Sequence, residues 1–446
     1  MRGILSWLLG LEWLVVGAVA PLLLFPTIRL RWTAIALAVL VVWWLLRWVV
    51  RRESWPPTPF NGALLLFALM IPVGVWASPA WEVTLPDMVR VVLGLITFRV
   101  VAMTASSRHG LMLAVMVFCL LGVALIGIGV LGVQWSAKVP VLWELSQRIP
   151  RLITTIPEDQ GTPGVNPNHL AGVLALYFPL ALALIFGWRF SRRAVLGPLF
   201  GLIGSLLFLA LVAGTLLLTQ SRSGWIGGAA GVLTLISLTS LTARRRWIRW
   251  LGGALPVLVA LEMIGAVLYL GPQTLRNSLL GTDATNPMVE MVGDITLVGR
   301  VEIWSRALYA IQDFPFTGCG LGAFRRVVPV LYPLFTVPPD TDIGHAHNIF
   351  LQTALDLGIP GLIAYLAILI VALTICWQVA LASTSAADGG RWVRALALGL
   401  AAGLVALHVY GLTDALALGS KPAVAFWYAL GLVAALGRVH LERDSL

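Results

Sequence analysis

The feature that most constrains this sequence is a series of about twelve apolar runs, each close to the length that a helix needs to cross a bilayer. With 59% hydrophobic and 11% charged residues, the chain cannot be a soluble globular protein, which is nearer to half apolar and a quarter charged. The sequence predicts an all-α fold, a polytopic membrane bundle of about 12 transmembrane helices that forms one integral domain over residues 1–446. The runs lie at about 4–25, 32–50, 62–78, 87–104, 110–133, 168–188, 195–219, 224–242, 251–271, 347–380, 393–413 and 422–437.

The net charge of +10 is better explained by membrane topology than by nucleic acid binding. The arginines lie between the apolar runs, whereas a DNA-binding surface needs a solvated face on which basic residues gather. By the positive-inside rule, the Arg-rich short segments predict that both termini are cytoplasmic. The first run is interrupted by Glu12 and exceeds a signal-peptide core, so it is predicted to be a retained span. Segments 134–167 and 272–346 then lie on the outer face.

The longer outer segment, 272–346, contains one predicted helix. From Gly299 to Phe314, apolar residues recur at helical spacing and predict an amphipathic helix lying against the membrane or the bundle. The stripe consists of Val301, Trp304, Leu308 and Ile311. The run Gly318-Cys319-Gly320-Leu321-Gly322 has the glycines of a phosphate loop, but no strand precedes it and no Lys-Ser/Thr pair follows, so it predicts a turn.

The sharpest candidate site is His345-Ala346-His347-Asn348, where the outer segment enters the next span. At about 100° per residue, Gly358 and Gly361 share the helix face of His347, and small residues at that spacing let a neighbouring helix approach closely. His347 is therefore predicted at the mouth of a tight crevice, the alternative being a hydrogen-bonded interfacial histidine at a polar helix start. Asp414 is the intramembrane charge best placed to face the same crevice. Charge in hydrocarbon is costly, which also makes candidates of Glu12, Arg99, Glu262, Asp356 and His408.

Two arginines are candidate anion ligands. Arg222 lies in Gln220-Ser221-Arg222-Ser223-Gly224, where a serine cap and a helix start direct free N–H groups outward and suit a phosphate. An arginine in a short turn can equally extend to the lipid headgroups. Arg300 falls in the first turn of the predicted outer helix, where a cation opposes the helix dipole, so an anionic ligand would explain it. The alternative is a salt bridge to Glu302 or Asp294.

No metal or other cofactor is predicted. Asp340 and Asp342, followed by His345 and His347, are the nearest approach to a divalent site, but their spacing is loose and the segment is Pro-rich. The three cysteines are too few and too scattered for a disulfide framework or a C-x-x-C site.

Several of these motifs resemble the O-antigen ligase and O-antigen polymerase superfamily of bacterial envelope proteins. The resemblance rests on His347-Asn348 followed after nine residues by Gly358-x-x-Gly361, and covers residues 160–380. It is supported by Ser221-Arg222-Ser223-Gly224, by Gly299-Arg300 to Trp304 followed by Pro315-Phe316-Thr317-Gly318-x-Gly320, and by Asn166-Pro167-Asn168-His169-Leu170-Ala171.

The resemblance implies a membrane glycosyltransferase of the C type that acts at the outer face of the bacterial cytoplasmic membrane. The donor would be a glycan on a polyprenyl (undecaprenyl) diphosphate. The acceptor would be a hydroxyl of lipid A core, as in lipopolysaccharide biosynthesis, or of another glycan. By motif, Arg222 and Arg300 correspond to the arginines that hold the donor diphosphate, and His347 to the histidine that activates the acceptor. The transfer would be inverting and metal-independent, with supporting roles open to Asn348, His345, Asp414, Asn168 and His169.

Two other functions stay open from the sequence. A surface polysaccharide polymerase would use the same donor, and the His-Asn-x9-Gly-x-x-Gly pattern favours a ligase over it. A solute transporter of the bicarbonate type belongs to another class. It should show inverted repeats and helices broken at the midplane. No such pairing is found in the sequence, and the polar residues gather at the outer mouth.

Overall fold

The structure is a computed structural model that describes residues 9–135, 137–154, 164–188, 196–243, 245–262, 297–335, 343–383 and 390–441. Apart from an isolated bridge between Val133 and Val165, every regular element in these ranges is a helix. The helices are α1 (Glu12–Leu24), α2 (Leu30–Arg51), α3 (Asn61–Ala77), α4 (Trp81–Thr104), α5 (Arg108–Gly132), α6 (Pro140–Gln147), α7 (Pro167–Gly187), α8 (Leu196–Leu218), α9 (Arg222–Leu241), α10 (246–262), α11 (Leu297–Asp313), α12 (Phe324–Leu331), α13 (Ile349–Ala382), α14 (Gly390–Tyr410) and α15 (Val424–Leu441), the last preceded by a 3-10 turn at Lys421–Ala423.

Each predicted apolar run coincides with a helix over the part that the structure describes. Eight helices of the described chain are long and apolar enough to cross a membrane, while α1 and α3 are shorter apolar helices. Helix α4 has 24 residues but carries four charged ones, and α10 is described only as far as residue 262. The chain is an all-α, polytopic membrane protein, as predicted.

Helix α14 is enclosed by α7, α9 and α13 in the most closely packed part of the bundle. Two glycines allow backbones to touch there. A Cβ atom at Gly403 would lie 2.3 Å from the carbonyl oxygen of Leu176, and one at Gly227 would lie 2.7 Å from that of Ala406. Small residues commonly permit such approach between membrane helices. Because α14 is held on three sides, the turn that follows it, 411–414, is fixed in position.

Helix α13 is interrupted at Gly358, whose φ of 69° and ψ of 178° belong to a region that is essentially restricted to glycine. The loop after α11 pairs with the interrupted backbone. The N–H of Cys319 donates to the carbonyl of Leu355 at 2.7 Å, and the N–H of Ile359 donates to the carbonyl of Pro315, also at 2.7 Å. Backbone groups of α13 on both sides of the interruption therefore form hydrogen bonds with this loop instead of within the helix.

The prediction that His347, Gly358 and Gly361 share one helix face is wrong. His347 precedes α13 and has a φ of 47°, and the helix is not continuous through Gly358, so the angular offsets do not apply. Gly358 instead makes room for a loop, since a Cβ there would lie 2.2 Å from the carbonyl oxygen of Phe316. A Cβ at Gly361 would meet Leu357 of the same helix.

The glycine-rich segment 318–322 is a turn, as predicted. Gly318, Gly320 and Gly322 all have positive φ, and a Cβ at Gly318 would lie 2.2 Å from the carbonyl oxygen of Leu355. The glycines therefore serve a close approach between the turn and α13.

The predicted amphipathic helix is present as α11, but its buried face differs from the predicted stripe. Val301 and Leu308 are about half exposed, whereas the fully buried residues are Ile303, Ala307 and Ala310. Helix α11 packs on α13 and α12, and the small side chains of the two alanines suit that contact. The predicted stripe was chosen by hydropathy, which favours large apolar side chains. The buried face of α11 instead includes two small alanines, which let this helix pack closely on α13.

The interruption at Gly358 gives a stability prediction. Gly358→Ala should lower the thermal unfolding midpoint of the purified protein in detergent, because alanine at this φ and ψ costs about 1–3 kcal/mol and also meets the Phe316 carbonyl. The matched control is Gly127→Ala in α5, where a Cβ would meet nothing within 4 Å. An equal midpoint for the two variants would contradict the role assigned to Gly358.

Candidate functional site

Three segments that are distant in the sequence meet at one end of the bundle, which we call the site end. They are the turn 411–414 after α14, the segment 343–348 before α13, and the first turns of α11. The N–H of Ile349 donates to the carbonyl of Gly411 at 2.8 Å and ties the first two segments together. Arg300 Nη1 donates to the carbonyl of Thr413 at 2.7 Å and ties the third to them.

Asp414 is the centre of the site end. Its side chain is 2% exposed, its Oδ1 atom lies 3.3 Å from His347 Nδ1, and its Oδ2 atom lies 3.7 Å from Arg300 Nη2. Burial by itself raises the pKa of this carboxyl, but the hydrogen bond and charge of His347, together with Arg300, hold the pKa below its ordinary value. The carboxylate is therefore ionised at neutral pH, and it faces both groups that the sequence had singled out in segments 343–348 and 297–313.

His347 is held by contacts to its backbone as well as to its ring. Its φ of 47° is unusual for a residue with a Cβ. Its N–H donates to His345 Nδ1 at 3.1 Å, and its carbonyl accepts from Trp304 Nε1 at 3.4 Å. When Nδ1 donates to ionised Asp414, the neutral imidazole has its lone pair on Nε2. Asp414 thus favours the tautomer in which Nε2 can accept a proton.

His345 and His169 extend the cluster away from His347. The Nε2 atom of His345 lies 3.3 Å from His169 Nε2 and 3.8 Å from Asp414 Oδ1. Burial lowers the pKa of His345 well below its ordinary value, and positive charge on its neighbours His347, His169 and Arg300 would lower it further, against the effect of Asp414. Since Nδ1 of His345 already accepts from the His347 backbone, the neutral ring carries its proton on Nε2.

Arg300 pairs with a partner that sequence reasoning did not consider. The expected alternatives were Glu302 and Asp294. Glu302 instead lies 3.5 Å from Arg306, and Asp294 falls outside the described residues. Arg300 donates a hydrogen bond to the Thr413 carbonyl and forms an ion pair with Asp414, while its buried Nε atom has no hydrogen-bond partner among the described residues.

Arg222 lies at the start of α9 on the same end of the bundle. Ser221 caps the helix by accepting from the N–H of Gly224 at 3.3 Å, as the sequence suggested. Ser223 accepts a hydrogen bond from Thr413 Oγ1 at 2.8 Å, so the residue after Arg222 contacts the residue whose carbonyl binds Arg300. Arg222 itself is exposed.

The two candidate asparagines have structural partners. Asn348 caps α13, because its Oδ1 atom accepts from the N–H groups of Phe350 and Leu351, and its Nδ2 atom donates to the carbonyl of Leu412 at 3.0 Å. Asn168 accepts at its carbonyl from the hydroxyl of Tyr410 at 2.9 Å, which joins α7 to the end of α14. Both asparagines therefore help to align the segments that carry the site.

One group of residues at the site end has donor atoms suited to a metal ion. The ligand atoms of His345, His347 and Asp414 lie within 4.8 Å of one another. Arg300 pairs with the same carboxylate, and a second cation beside it would be repelled. Asp340 and Asp342, considered as metal ligands from the sequence, lie outside the described residues. The expectation of a metal-free site stays a prediction.

Other intramembrane charges have partners away from Asp414. Glu12 forms buried ion pairs with Arg47 and Arg99, and His408 bonds to Tyr365. Sequence reasoning missed Thr413 and Gln352 as neighbours of the site, because nothing in the sequence marked either residue. It placed Trp304 in an apolar stripe and in a family motif but did not predict its contact with His347.

Two comparisons with known proteins give the same description, O-antigen ligase. A family model described as O-antigen ligase matches residues 207–366, a range that includes Arg222, Arg300 and His347. The O-antigen ligase of Pseudomonas aeruginosa strain PAO1 is 31% identical over 253 residues, which cover 54% of this chain and 51% of that protein. The match therefore spans about half the length of this curated relative.

A solved structure was also found to be similar. It is a chain from a structure described as "Structural coordination of polymerization and crosslinking by a peptidoglycan synthase complex". The identity is 20%, the match covers 86% of this chain and 98% of that chain, and the TM-score is 0.38. A TM-score this low does not establish a shared fold.

Proposed function

We propose that this chain is a member of the O-antigen ligase superfamily, to which its matches point, and that it transfers a glycan from a polyprenyl diphosphate to an acceptor hydroxyl at the outer face of the bacterial cytoplasmic membrane. The donor is a lipid-linked glycan, and the acceptor is lipid A core or another surface glycan. The observation that carries the proposal is the contact of both His347 and Arg300 with one buried carboxylate, Asp414.

His347 is proposed as the group that accepts the proton of the acceptor hydroxyl. A general base needs a free lone pair, and Asp414 supplies it by holding the proton of the neutral ring on Nδ1. In unrelated hydrolases, too, an acid orients a histidine and the histidine takes the proton of a hydroxyl. Asp414 is therefore a positioning residue, and His347 is the catalytic residue.

Arg222 and Arg300 are proposed to hold the donor diphosphate. A diphosphate is already a good leaving group, so the enzyme has to stabilise the charge that develops on it and to orient the acceptor oxygen. Arginine suits this task because its planar guanidinium binds phosphate oxygens with two parallel hydrogen bonds. The buried Nε atom of Arg300 that lacks a partner among the described residues is one donor left for such a ligand.

The proposed step is a single displacement. The acceptor oxygen forms a bond to the anomeric carbon as its proton moves to His347 Nε2, and the bond from that carbon to the diphosphate oxygen breaks. The electron pair of the broken bond stays on the polyprenyl diphosphate, where the arginines stabilise it. Attack from the face opposite the leaving group inverts the anomeric centre. As proposed, the step uses only these side chains and no metal.

Deletion of the gene tests the function through the species that accumulates. We expect full-length glycan to build up on its lipid carrier while the surface acceptor stays unmodified, because a ligase acts after the polymer is complete. Accumulation of single repeat units would instead indicate a polymerase. Unchanged surface glycan with altered solute uptake would contradict both and favour transport. Gel separation of surface glycan and mass spectrometry of lipid-linked glycan read out these outcomes, and the intact gene supplied on a plasmid is the control.

The orientation is proposed from the charge pattern and can be tested separately. Both termini are proposed to be cytoplasmic, with segments 134–167 and 272–346 and the site end facing the periplasm. Cysteines introduced at the exposed residues Arg222 and Phe335 should react with an impermeant thiol reagent in intact cells. A cysteine introduced at the exposed residue Arg246 should react only after the membrane is opened.

A further inference from the structure

We propose that Gln352 and Asp356 are positioning residues that hold the backbone of the His345–His347 segment in its catalytic conformation. The inference rests on the proposed function and adds two side chains that do not reach the reacting atoms. Both are 2% exposed and lie on the first half of α13, between the site end and the interruption at Gly358.

The first contact is between Gln352 and the histidine segment. Gln352 Oε1 accepts a hydrogen bond from the backbone N–H of Ala346 at 2.8 Å, and Ala346 is fully buried between the two histidines. His347 has a positive φ, a conformation that persists only where the surrounding structure fixes it. The bond to Ala346 fixes the His345–Ala346 peptide, one residue before this conformation.

The second contact orients the amide of Gln352. Its Nε2 atom donates to Asp356 Oδ1 at 2.8 Å, and the same oxygen accepts from the N–H of Gly322 at 3.0 Å. The carboxylate therefore selects the amide orientation that presents Oε1 to Ala346. Gly322 belongs to the glycine turn that contacts α13 near its interruption, so the chain of bonds runs from this turn to the histidines.

This arrangement explains a buried acid that the proposed chemistry does not use. Asp356 is not in contact with Asp414, and an acid within a membrane span is costly unless it has partners. A hydrophobic residue at position 356 would pack as well but could not orient the Gln352 amide. The free-energy cost of burying this acid is consistent with a role in setting the geometry of His347, because small displacements of a catalytic group reduce rates strongly.

Exchanging the amide and the carboxyl group between positions 352 and 356 tests the inference. Gln352→Glu removes the amide donor and places a second carboxyl group against Asp356, and it should lower kcat for glycan transfer by about 100-fold. The Gln352→Glu/Asp356→Asn double variant restores a donor facing an acceptor, since the asparagine Nδ2 atom can donate to the glutamate, while the bond from the Gly322 N–H to the same position is lost. We expect the double variant to recover to within about tenfold of the native kcat. The donor KM should change little in both, because Arg222 and Arg300 are untouched.

A neutral variant and a matched control keep the test independent of folding. Gln352→Met removes both hydrogen bonds at similar volume and should also lower kcat with an unchanged donor KM. Gln378→Glu adds the same charge to an exposed position of the same helix and should behave as native. The full-length protein would be assayed in lipid vesicles with the lipid-linked glycan and acceptor extracted from the deletion strain, and unfolding midpoints would be measured in parallel.

Two results separate failure of this inference from failure of the proposed function. If the native protein transfers glycan and Gln352→Met keeps its kcat, the positioning role is wrong. The same conclusion follows if the exchange variant folds but is no more active than Gln352→Glu. If the native protein itself transfers no glycan in this assay, the proposed function fails and the inference fails with it.

Discussion

Replacing His347 with alanine is expected to lower the rate of glycan transfer by about 10²- to 10⁴-fold, the usual contribution of a positioned general base. The variant keeps the backbone contacts of the residue, since its N–H and carbonyl still bond to His345 and Trp304. Donor binding should be retained, because the proposed diphosphate ligands lie elsewhere. The measurement is the initial rate with the lipid-linked glycan and acceptor from the deletion strain.

Two further variants separate proton transfer from structure at this position. His347→Gln can donate a hydrogen bond to Asp414 but cannot take up a proton, so it should be as inactive as the alanine variant. His109→Ala alters an exposed histidine in the first turn of α5 and should leave transfer unchanged. Near-native transfer by His347→Ala in a correctly folded protein would remove His347 from the proposed mechanism.

The helices of this protein could be predicted from the sequence because a bilayer imposes a simple rule. Backbone polar groups have no partner in hydrocarbon, so an apolar run of sufficient length must be helical. The boundaries followed from the Arg, Pro and Gly clusters between the runs. The rule says nothing about where a helix is interrupted. The sequence therefore predicts a continuous helix through Gly358, whereas the structure has α13 interrupted at this residue.

The site could be predicted only in part. His347, Arg300 and Asp414 were each selected from local sequence, since a histidine at a helix start, a cation in a first turn and an acid at the end of a span are individually unusual. Their common contact depends on how α11 and α13 pack around the end of α14, which no local pattern encodes. For the same reason Gln352, an ordinary polar residue near a helix start, gave no signal.

Arginine at position 300 is expected to be as important for transfer as His347, but its removal should have two separable effects. Arg300→Ala takes away a proposed diphosphate ligand, and loss of one such donor commonly costs 10²- to 10³-fold in kcat. It also leaves the buried Asp414 carboxylate without its cation, which destabilises the fold. An Arg300→Ala/Asp414→Asn double variant should regain the thermal unfolding midpoint without regaining transfer.

The exposed arginine of the proposed pair gives the cleaner test of diphosphate binding. Arg222→Ala removes an exposed side chain in the first turn of α9, so we expect no change in unfolding midpoint together with a loss of transfer as large as that of Arg300→Ala. Arg326→Ala is the matched control, because the ion pair that Arg326 forms with Glu82 in the described part of the chain is exposed, and such pairs contribute little. If Arg222→Ala transferred glycan at the native rate, anion binding at the start of α9 would be excluded. Arg300 would then have to stabilise the leaving group by itself, from the guanidinium atoms that Asp414 and Thr413 do not engage.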